Sequence, residues 1–142
     1  MILLGGCAGG GDVNELEARR DAVLAAAPEQ LPALAGSLGL TITEAIGQYE
    51  TEWLEGVDRR RYAVQAAVMG PVPAEDASVA ALTGLGYEIR QSSSRIVTGE
   101  RDGLWLTVQV WTARVELSLY SEDLRMKDGV PMLTEQETVD LS

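Results

Sequence analysis

The chain has 142 residues with 22 acidic and 11 basic side chains, which gives a formal net charge of −11. A chain this acidic is repelled by phosphate backbones and by anionic lipid surfaces, so nucleic acid is a poor partner. The sequence contains no histidine and one cysteine, which excludes a Ser-His-Asp triad, a histidine-ligated metal and an internal disulfide. The length predicts a single domain.

The first residues carry the most specific motif of the chain. Leu4-Gly5-Gly6-Cys7 resembles the lipobox of bacterial lipoproteins, in which a signal peptidase cuts before a cysteine that then carries lipid. The apolar stretch before it is shorter than the roughly 7–15 residues of a secretory h-region, so it is interpreted as a signal peptide that lacks its front. The resemblance implies a lipid-anchored protein on the outer face of the cell membrane. The alternative is a cytosolic protein with one incidental thiol.

Composition also indicates a source class. Arginine far outnumbers lysine, whose single copy is Lys127, and alanine and glycine are abundant. This bias is typical of GC-rich genomes such as those of actinobacteria. With its lipobox, the chain resembles small bacterial lipoproteins of unassigned function.

Three regions are predicted along the chain. Residues 1–11 are interpreted as the signal-peptide remnant, the lipobox and a glycine linker, because Ala8 to Gly11 are typical of a flexible tether. Residues 12–124 are predicted to form one α+β domain. Residues 125–142 are acidic and mostly polar, which predicts a mobile tail.

The first half of the domain is predicted to form a helix followed by two strands. Asp12 is a plausible helix N-cap, and Glu15 would complete a capping box. Pro28 is expected to end or kink this helix, because proline has no N–H and clashes with the preceding turn. The remaining predictions are a helical piece over 31–37, an extended segment over 40–53 with a bulge at Gly47, a turn over 55–58 and a strand over 62–68.

The second half repeats that order. A helix is predicted over 75–83 with Val79 and Leu82 inward, followed by strands over 87–97 and 104–111. Similar helix-to-strand junctions in the two halves indicate a possible α-β-β tandem repeat. The alternative is that the similarity is generic, because any helix that ends at a glycine before an apolar strand has this pattern.

A C-terminal hairpin strand has the best-defined register. The apolar positions change parity at Thr112-Ala113, which predicts a two-residue loop or a bulge. With the loop, Val110 faces Val115 on the core side and Trp105 faces Tyr120 on the other side. The resulting fold class is α+β, a two-layer sandwich with helices on one face of an antiparallel sheet.

The residues available for chemistry are few. A nucleotide-binding glycine loop, a calcium loop and a usable thiolate are missing from the sequence, so no cofactor, metal site or catalytic residue is predicted. Paired carboxylates are the remaining route to catalysis. The candidates are Glu44, Glu50, Glu52 and Glu55, although a solvated strand face explains them equally well.

Two clusters could bind a partner. Arg59-Arg60-Arg61 is the sole basic run, which could contact an anion or could neutralise neighbouring acidic residues. Trp105, Trp111, Tyr120 and Arg114 are predicted to face away from the aliphatic core. We expect Trp53 or the first helix to cover these aromatics; if nothing covers them, they form an exposed binding platform.

The leading functional hypothesis is therefore a non-catalytic, lipid-anchored domain that binds an envelope protein or a glycan. A carrier of a small apolar ligand is the first alternative, and it predicts a closed apolar cavity of a few hundred Å³. A carboxylate-dependent hydrolase is the second, and it predicts two acidic groups roughly 5–10 Å apart in a cleft.

Overall fold

A computed structural model describes residues 10–142, so Cys7 and the lipobox lie outside the described residues. Within the described part, the chain forms two α-helices and eight strands. They are α1 (Val13–Ser37), β1 (Thr41–Leu54), β2 (Val57–Met69), α2 (Glu75–Gly84), β3 (Glu88–Ser92), β4 (Ile96–Arg101), β5 (Leu104–Val110), β6 (Val115–Ser121), β7 (Leu124–Arg125) and β8 (Gln136–Thr138).

The strands form one antiparallel sheet with both helices on the same face. The strand order is β3-β4-β5-β6-β2-β1-β8, and β7 pairs with β2. Helix α1 packs on β1, β2 and β6, while α2 packs on β3 and β4. The predicted two-layer α+β sandwich is confirmed. The tandem repeat is not confirmed, because two strands lie between α1 and α2 whereas six follow α2.

Helix α1 is one continuous helix of 25 residues that includes Pro28 and Pro32. The helix therefore does not end at Pro28, and the helical piece predicted over 31–37 is its C-terminal part. An interior proline costs about 3 kcal/mol, whereas each buried leucine or valine contributes roughly 1.5–3 kcal/mol. Side chains at helical spacing before and after Pro28 enter the same core, and their burial outweighs the lost hydrogen bonds. The fully buried positions are Val23, Ala27, Leu31 and Leu34.

The ends of both helices follow local rules. The Asp12 carboxylate accepts a hydrogen bond from the Glu15 N–H at 2.9 Å, which confirms the N-cap of α1. In both helices the C-cap residue is followed by a glycine with positive φ, Gly39 at 70° and Gly86 at 89°. The residue after the glycine then donates its N–H back to a carbonyl of the last helical turn, as is usual where a left-handed residue ends a helix.

Two strand predictions need correction. The bulge in β1 lies between Ile42 and Glu44 rather than at Gly47. Gly47 instead lies against the ring of Tyr62, where an added Cβ would come within 2.2 Å of the phenol oxygen. The segment predicted as one strand over 87–97 is a hairpin, β3 and β4, whose turn is closed by the Ser93 hydroxyl accepting from two backbone N–H groups at 3.2 Å.

The register predicted for β5 and β6 is confirmed at every pair. Val110 lies opposite Val115, and Trp105 lies opposite Tyr120. The Trp111 N–H donates to the Arg114 carbonyl at 2.7 Å, which closes the two-residue loop without a glycine. Leu106, Val108, Leu117 and Leu119 are therefore all at most 1% exposed on the helix side.

The C-terminal segment, predicted as a mobile acidic tail over 125–142, is instead packed against the domain. Met126 is buried, and β8 pairs with the outer edge of β1. The Glu137 carboxylate accepts from the Tyr62 hydroxyl at 2.6 Å and from Nε and Nη2 of Arg20, each at 2.9 Å. The sequence pattern missed this contact because its partners lie far away along the chain. Neither described helix has the length and apolar character needed to cross a bilayer.

Candidate functional site

The predicted aromatic residues lie on the face of the sheet against which neither described helix packs, here called the helix-free side. Both helices pack against the opposite, aliphatic face, and Trp53 lies at the tip of the β1–β2 hairpin, 64% exposed. The expectation that Trp53 or α1 covers the aromatics is therefore wrong for the described residues. Trp105 and Tyr120 are half-buried, and Trp111 is 44% exposed.

The four predicted platform residues form two separate pairs. The rings of Trp105 and Tyr120 stack at 6.4 Å with an interplanar angle of 10° in the middle of the sheet. The Arg114 guanidinium lies 5.5 Å from the Trp111 ring at the β5–β6 loop. Six residues separate Trp105 from Trp111, which is roughly 20 Å along a strand, so the pairs do not form one continuous platform.

Arg61 extends the central pair across the sheet. Its guanidinium lies 4.0 Å from the Tyr120 ring, within the range of a cation–π contact. It also donates to the Glu50 carboxylate at 2.7 Å, and Gln65 donates to the other Glu50 oxygen at 3.1 Å. Burial acts to lower the pKa of Arg61, but the hydrogen bond and the charge of Glu50 raise it, and the net shift is upward.

Beside this row lies a polar recess of about 120 Å³. The Thr107 hydroxyl is hydrogen-bonded to Thr98 at 3.1 Å and to the Tyr120 hydroxyl at 3.2 Å. These bonds hold Thr107 and Tyr120 in place at one side of the recess. The residues that line the polar recess are Glu50, Arg61, Ala63, Gln65, Ile96, Thr107, Gln109, Glu116, Ser118 and Tyr120.

Glu116 is the functional candidate that the sequence analysis missed. Burial raises its pKa; the Arg114 charge acts in the opposite direction, and Glu50 adds to the rise. The β5–β6 register places Glu116 opposite Gln109 on this face. No local pattern indicated that β2 and β1 would bring Glu50 to the same recess.

The basic run Arg59-Arg60-Arg61 does not form a joint anion contact. Arg60 is 1% exposed on the opposite side of the sheet from its two neighbours, because successive residues of a strand alternate. Arg59 and Arg61 line a second recess, of about 270 Å³, in which carboxylates outnumber them. The acidic side chains there are Glu50, Glu52 and Asp123, so an anion would meet repulsion.

The carboxylates predicted for a hydrolase are spread along β1 and its turn. Glu44, Glu52 and Glu55 are exposed, whereas Glu50 is engaged by Arg61 and Gln65. In the described part of the chain, the side chains of His, Cys, Asp and Glu form no group of three that could hold a metal ion.

An apolar groove of about 710 Å³ lies between the end of α1, the start of β1 and the C-terminal segment. It differs from the closed apolar cavity predicted for a carrier. It opens to solvent. Ala35, Leu40, Ile42 and Val139 contribute its apolar surface.

No protein-family model matches the chain, and neither a curated protein nor a solved structure shows significant similarity to it.

Proposed function

We propose that this protein is a lipid-anchored, extracytoplasmic binding domain of the bacterial cell envelope that acts without catalysis. The resemblance of Leu4-Gly5-Gly6-Cys7 to a lipobox supports its location. The polar recess beside the Trp105–Tyr120 stack supports its binding role, because it joins half-buried aromatic surface to convergent polar groups on a face that no helix covers.

A glycan is the ligand class that suits the polar recess best. Amide and hydroxyl side chains both donate and accept hydrogen bonds, so Gln65, Gln109 and Ser118 can pair with sugar hydroxyls in either direction. Pockets that enclose whole small molecules measure roughly 300–1,000 Å³, whereas this recess measures about 120 Å³. The ligand is therefore one that lies across the face and inserts a single group. The net charge of −11 favours a neutral or cationic polymer over a polyanion.

Sedimentation with insoluble purified peptidoglycan tests this role. Ser118→Arg fills the polar recess from a half-buried surface position, and we expect it to abolish co-sedimentation. Ser94→Arg makes the same change on the exposed β3–β4 turn and should bind like the wild type. Circular dichroism checks that both variants fold. Equal binding of the two variants, or no binding of the wild type, contradicts a glycan ligand and leaves an envelope protein as the alternative.

The anchor has its own test. The protein is expressed with its upstream leader, and its cells are extracted and partitioned between detergent and aqueous phases. We expect the wild type in the detergent phase and Cys7→Ala in the aqueous phase, because acyl chains contribute about 0.8 kcal/mol per buried methylene. The same phase for both proteins would contradict lipidation at Cys7.

A carboxylate-dependent hydrolase is the second candidate, because Glu50 and Glu116 line one recess and burial raises the pKa of Glu116. A general acid with a raised pKa beside an ionised carboxylate is the usual arrangement in glycoside hydrolysis. Release of reducing ends from peptidoglycan, lost in Glu116→Gln, would favour the hydrolase. Binding by Glu116→Gln without product from either protein favours the binding domain.

A further inference from the structure

Three of the large exposed apolar side chains in the described chain lie at one end of the molecule. Trp53 and Leu54 are the last two residues of β1, directly before the turn of the β1–β2 hairpin, with exposed fractions of 64% and 53%. Met132 is 51% exposed, and it lines one recess together with Trp53. We call these three residues the apolar tip.

The chain enters the domain at the same end. The Gly11 N–H donates to the Arg125 carbonyl at 2.7 Å, and the Met126 N–H donates to the Asp58 carbonyl at 2.8 Å. Asp58 is the partner of Trp53 in the β1–β2 ladder. Three steps between adjacent backbone segments, at 4.7–4.9 Å each, place Gly11 roughly 15 Å from Trp53.

A lipid on Cys7 would hold this end close to the bilayer. The four residue-to-residue steps from Cys7 to Gly11 span at most about 14 Å even when fully extended. The headgroup region on each side of a bilayer is roughly 5–8 Å thick. Gly11, and with it the base of the apolar tip, therefore cannot move far from the membrane surface while the anchor is inserted.

We infer that the apolar tip inserts into the bilayer interface beside the lipid anchor and orients the domain on the membrane. The inference rests on the proposed anchor at Cys7. Tryptophan favours the headgroup level because its ring is apolar and its N–H is polar, and Leu54 and Met132 gain from removal of apolar surface from water.

The charges around the apolar tip identify the lipid it suits. Arg125 and Lys127 are exposed there, but so are Glu52 and Glu55 on the hairpin. The mixed charges give no net attraction to anionic headgroups. A zwitterionic bilayer is sufficient, and anionic lipid should not strengthen the contact.

This orientation leaves the opposite end of the domain accessible. The polar recess begins at Arg61, four residues along β2 from Val57, and extends to Glu116. Glu116 pairs with Ala67, ten residues along β2 from the hairpin turn and roughly 33 Å away. The far end of the polar recess, and beyond it Trp111 and Arg114, would then lie away from the membrane, toward the cell wall.

Depth-dependent quenching tests the insertion. The full chain is coupled through its single cysteine, Cys7, to a maleimide phospholipid in phosphatidylcholine vesicles that contain brominated lipids. The double variant Trp105→Phe/Trp111→Phe keeps Trp53 as its only tryptophan. The control is the double variant Trp53→Phe/Trp105→Phe, which keeps only Trp111. We expect a blue shift and strong quenching for Trp53, and neither for Trp111. Leu54→Asp, at an exposed position, should reduce the quenching of Trp53.

The outcomes separate this inference from the anchor. Equal quenching of Trp53 and Trp111 overturns insertion, and it does not affect lipidation, because the chemical coupling replaces the natural lipid. A blue shift of Trp53 that depends on protein concentration without vesicles also overturns it, because the apolar tip would then contact a second copy. If Cys7 is unmodified in the natural protein, the partition experiment contradicts the anchor, and the quenching result is unaffected.

Discussion

Arg60 and Arg61 are neighbours on β2 that point to opposite sides of the sheet. Arg60 donates to both Asp58 carboxylate oxygens, at 2.9 and 3.1 Å, and to the carbonyls of Val130 and Pro131 at 2.8 and 2.7 Å. Its side chain is 2% exposed. Arg61 has a side chain that is 36% exposed and pairs with Glu50 on the helix-free side.

Burial gives these two arginines different roles. Every polar contact of Arg60 is internal. Its bonds to the Val130 and Pro131 carbonyls fix the loop that leads to β8. Arg61 keeps one side toward solvent, next to the polar recess. The comparison indicates that polar contacts on the helix side hold the fold together, whereas those on the helix-free side are available to a ligand.

Arg60→Met should have the largest effect on stability. Removal of one partner from a buried ion pair typically costs about 3–5 kcal/mol, because Asp58 and two carbonyls would remain without their donor. We expect a drop of this size in the free energy of unfolding, measured by urea denaturation. A cost below about 1 kcal/mol, the usual value for a surface pair, would contradict a structural role.

Gly47→Ala should be the next most damaging change. A Cβ at Gly47 would lie 2.2 Å from the Tyr62 phenol oxygen and 2.9 Å from its ring carbon, so Tyr62 would have to leave Glu137. Overpacking of this kind costs about 1–3 kcal/mol. Gly36→Ala is the matched control, because nothing lies within 4 Å of its added Cβ in an exposed helical turn. It should stabilise the protein by about 0.4–1 kcal/mol, and equal destabilisation by the two changes would exclude the clash.

Glu137→Gln tests the contact that holds β8. The Tyr62 hydrogen bond lowers the pKa of Glu137; burial opposes this shift, and Arg20 adds to it. Both charged partners are about one-third exposed, so solvent screening reduces the contribution to about 1–2 kcal/mol.

The pH dependence of Glu137→Gln follows from the direction of that shift. A carboxylate with a lower pKa in the folded state stabilises the fold above its unfolded value of about 4.3, and this contribution is lost as the pH falls further. The difference in unfolding free energy between wild type and Glu137→Gln should therefore be full at pH 7 and shrink below about pH 4. A difference that stays constant over this range would contradict an ionic role for Glu137.

Sequence reasoning succeeded where the determinants were local. The β5–β6 register followed from alternation alone, since a shift by one residue would have moved Leu106 and Leu117 to solvent. The continuation of α1 past Pro28 was not predictable from local propensity. The energetic cost of the proline is offset by the burial of helix side chains against the sheet, which local sequence does not show. The polar recess was not predictable for a similar reason, since Glu50 on β1 and Glu116 on β6 come together only when these two strands pair with opposite edges of β2.

Arg61→Met should have the smallest effect on stability and a large one on binding. A partly exposed ion pair contributes about 0–1 kcal/mol, and the cation–π contact with Tyr120 adds roughly 0.5–1 kcal/mol at most. Co-sedimentation with peptidoglycan should fall strongly, because Arg61 and Glu50 together shape one wall of the polar recess. Arg95→Met, on the exposed β3–β4 turn, should change neither quantity. If Arg61→Met lowered the unfolding free energy as much as Arg60→Met, both arginines would be structural and the helix-free side would lose its distinction as a ligand surface.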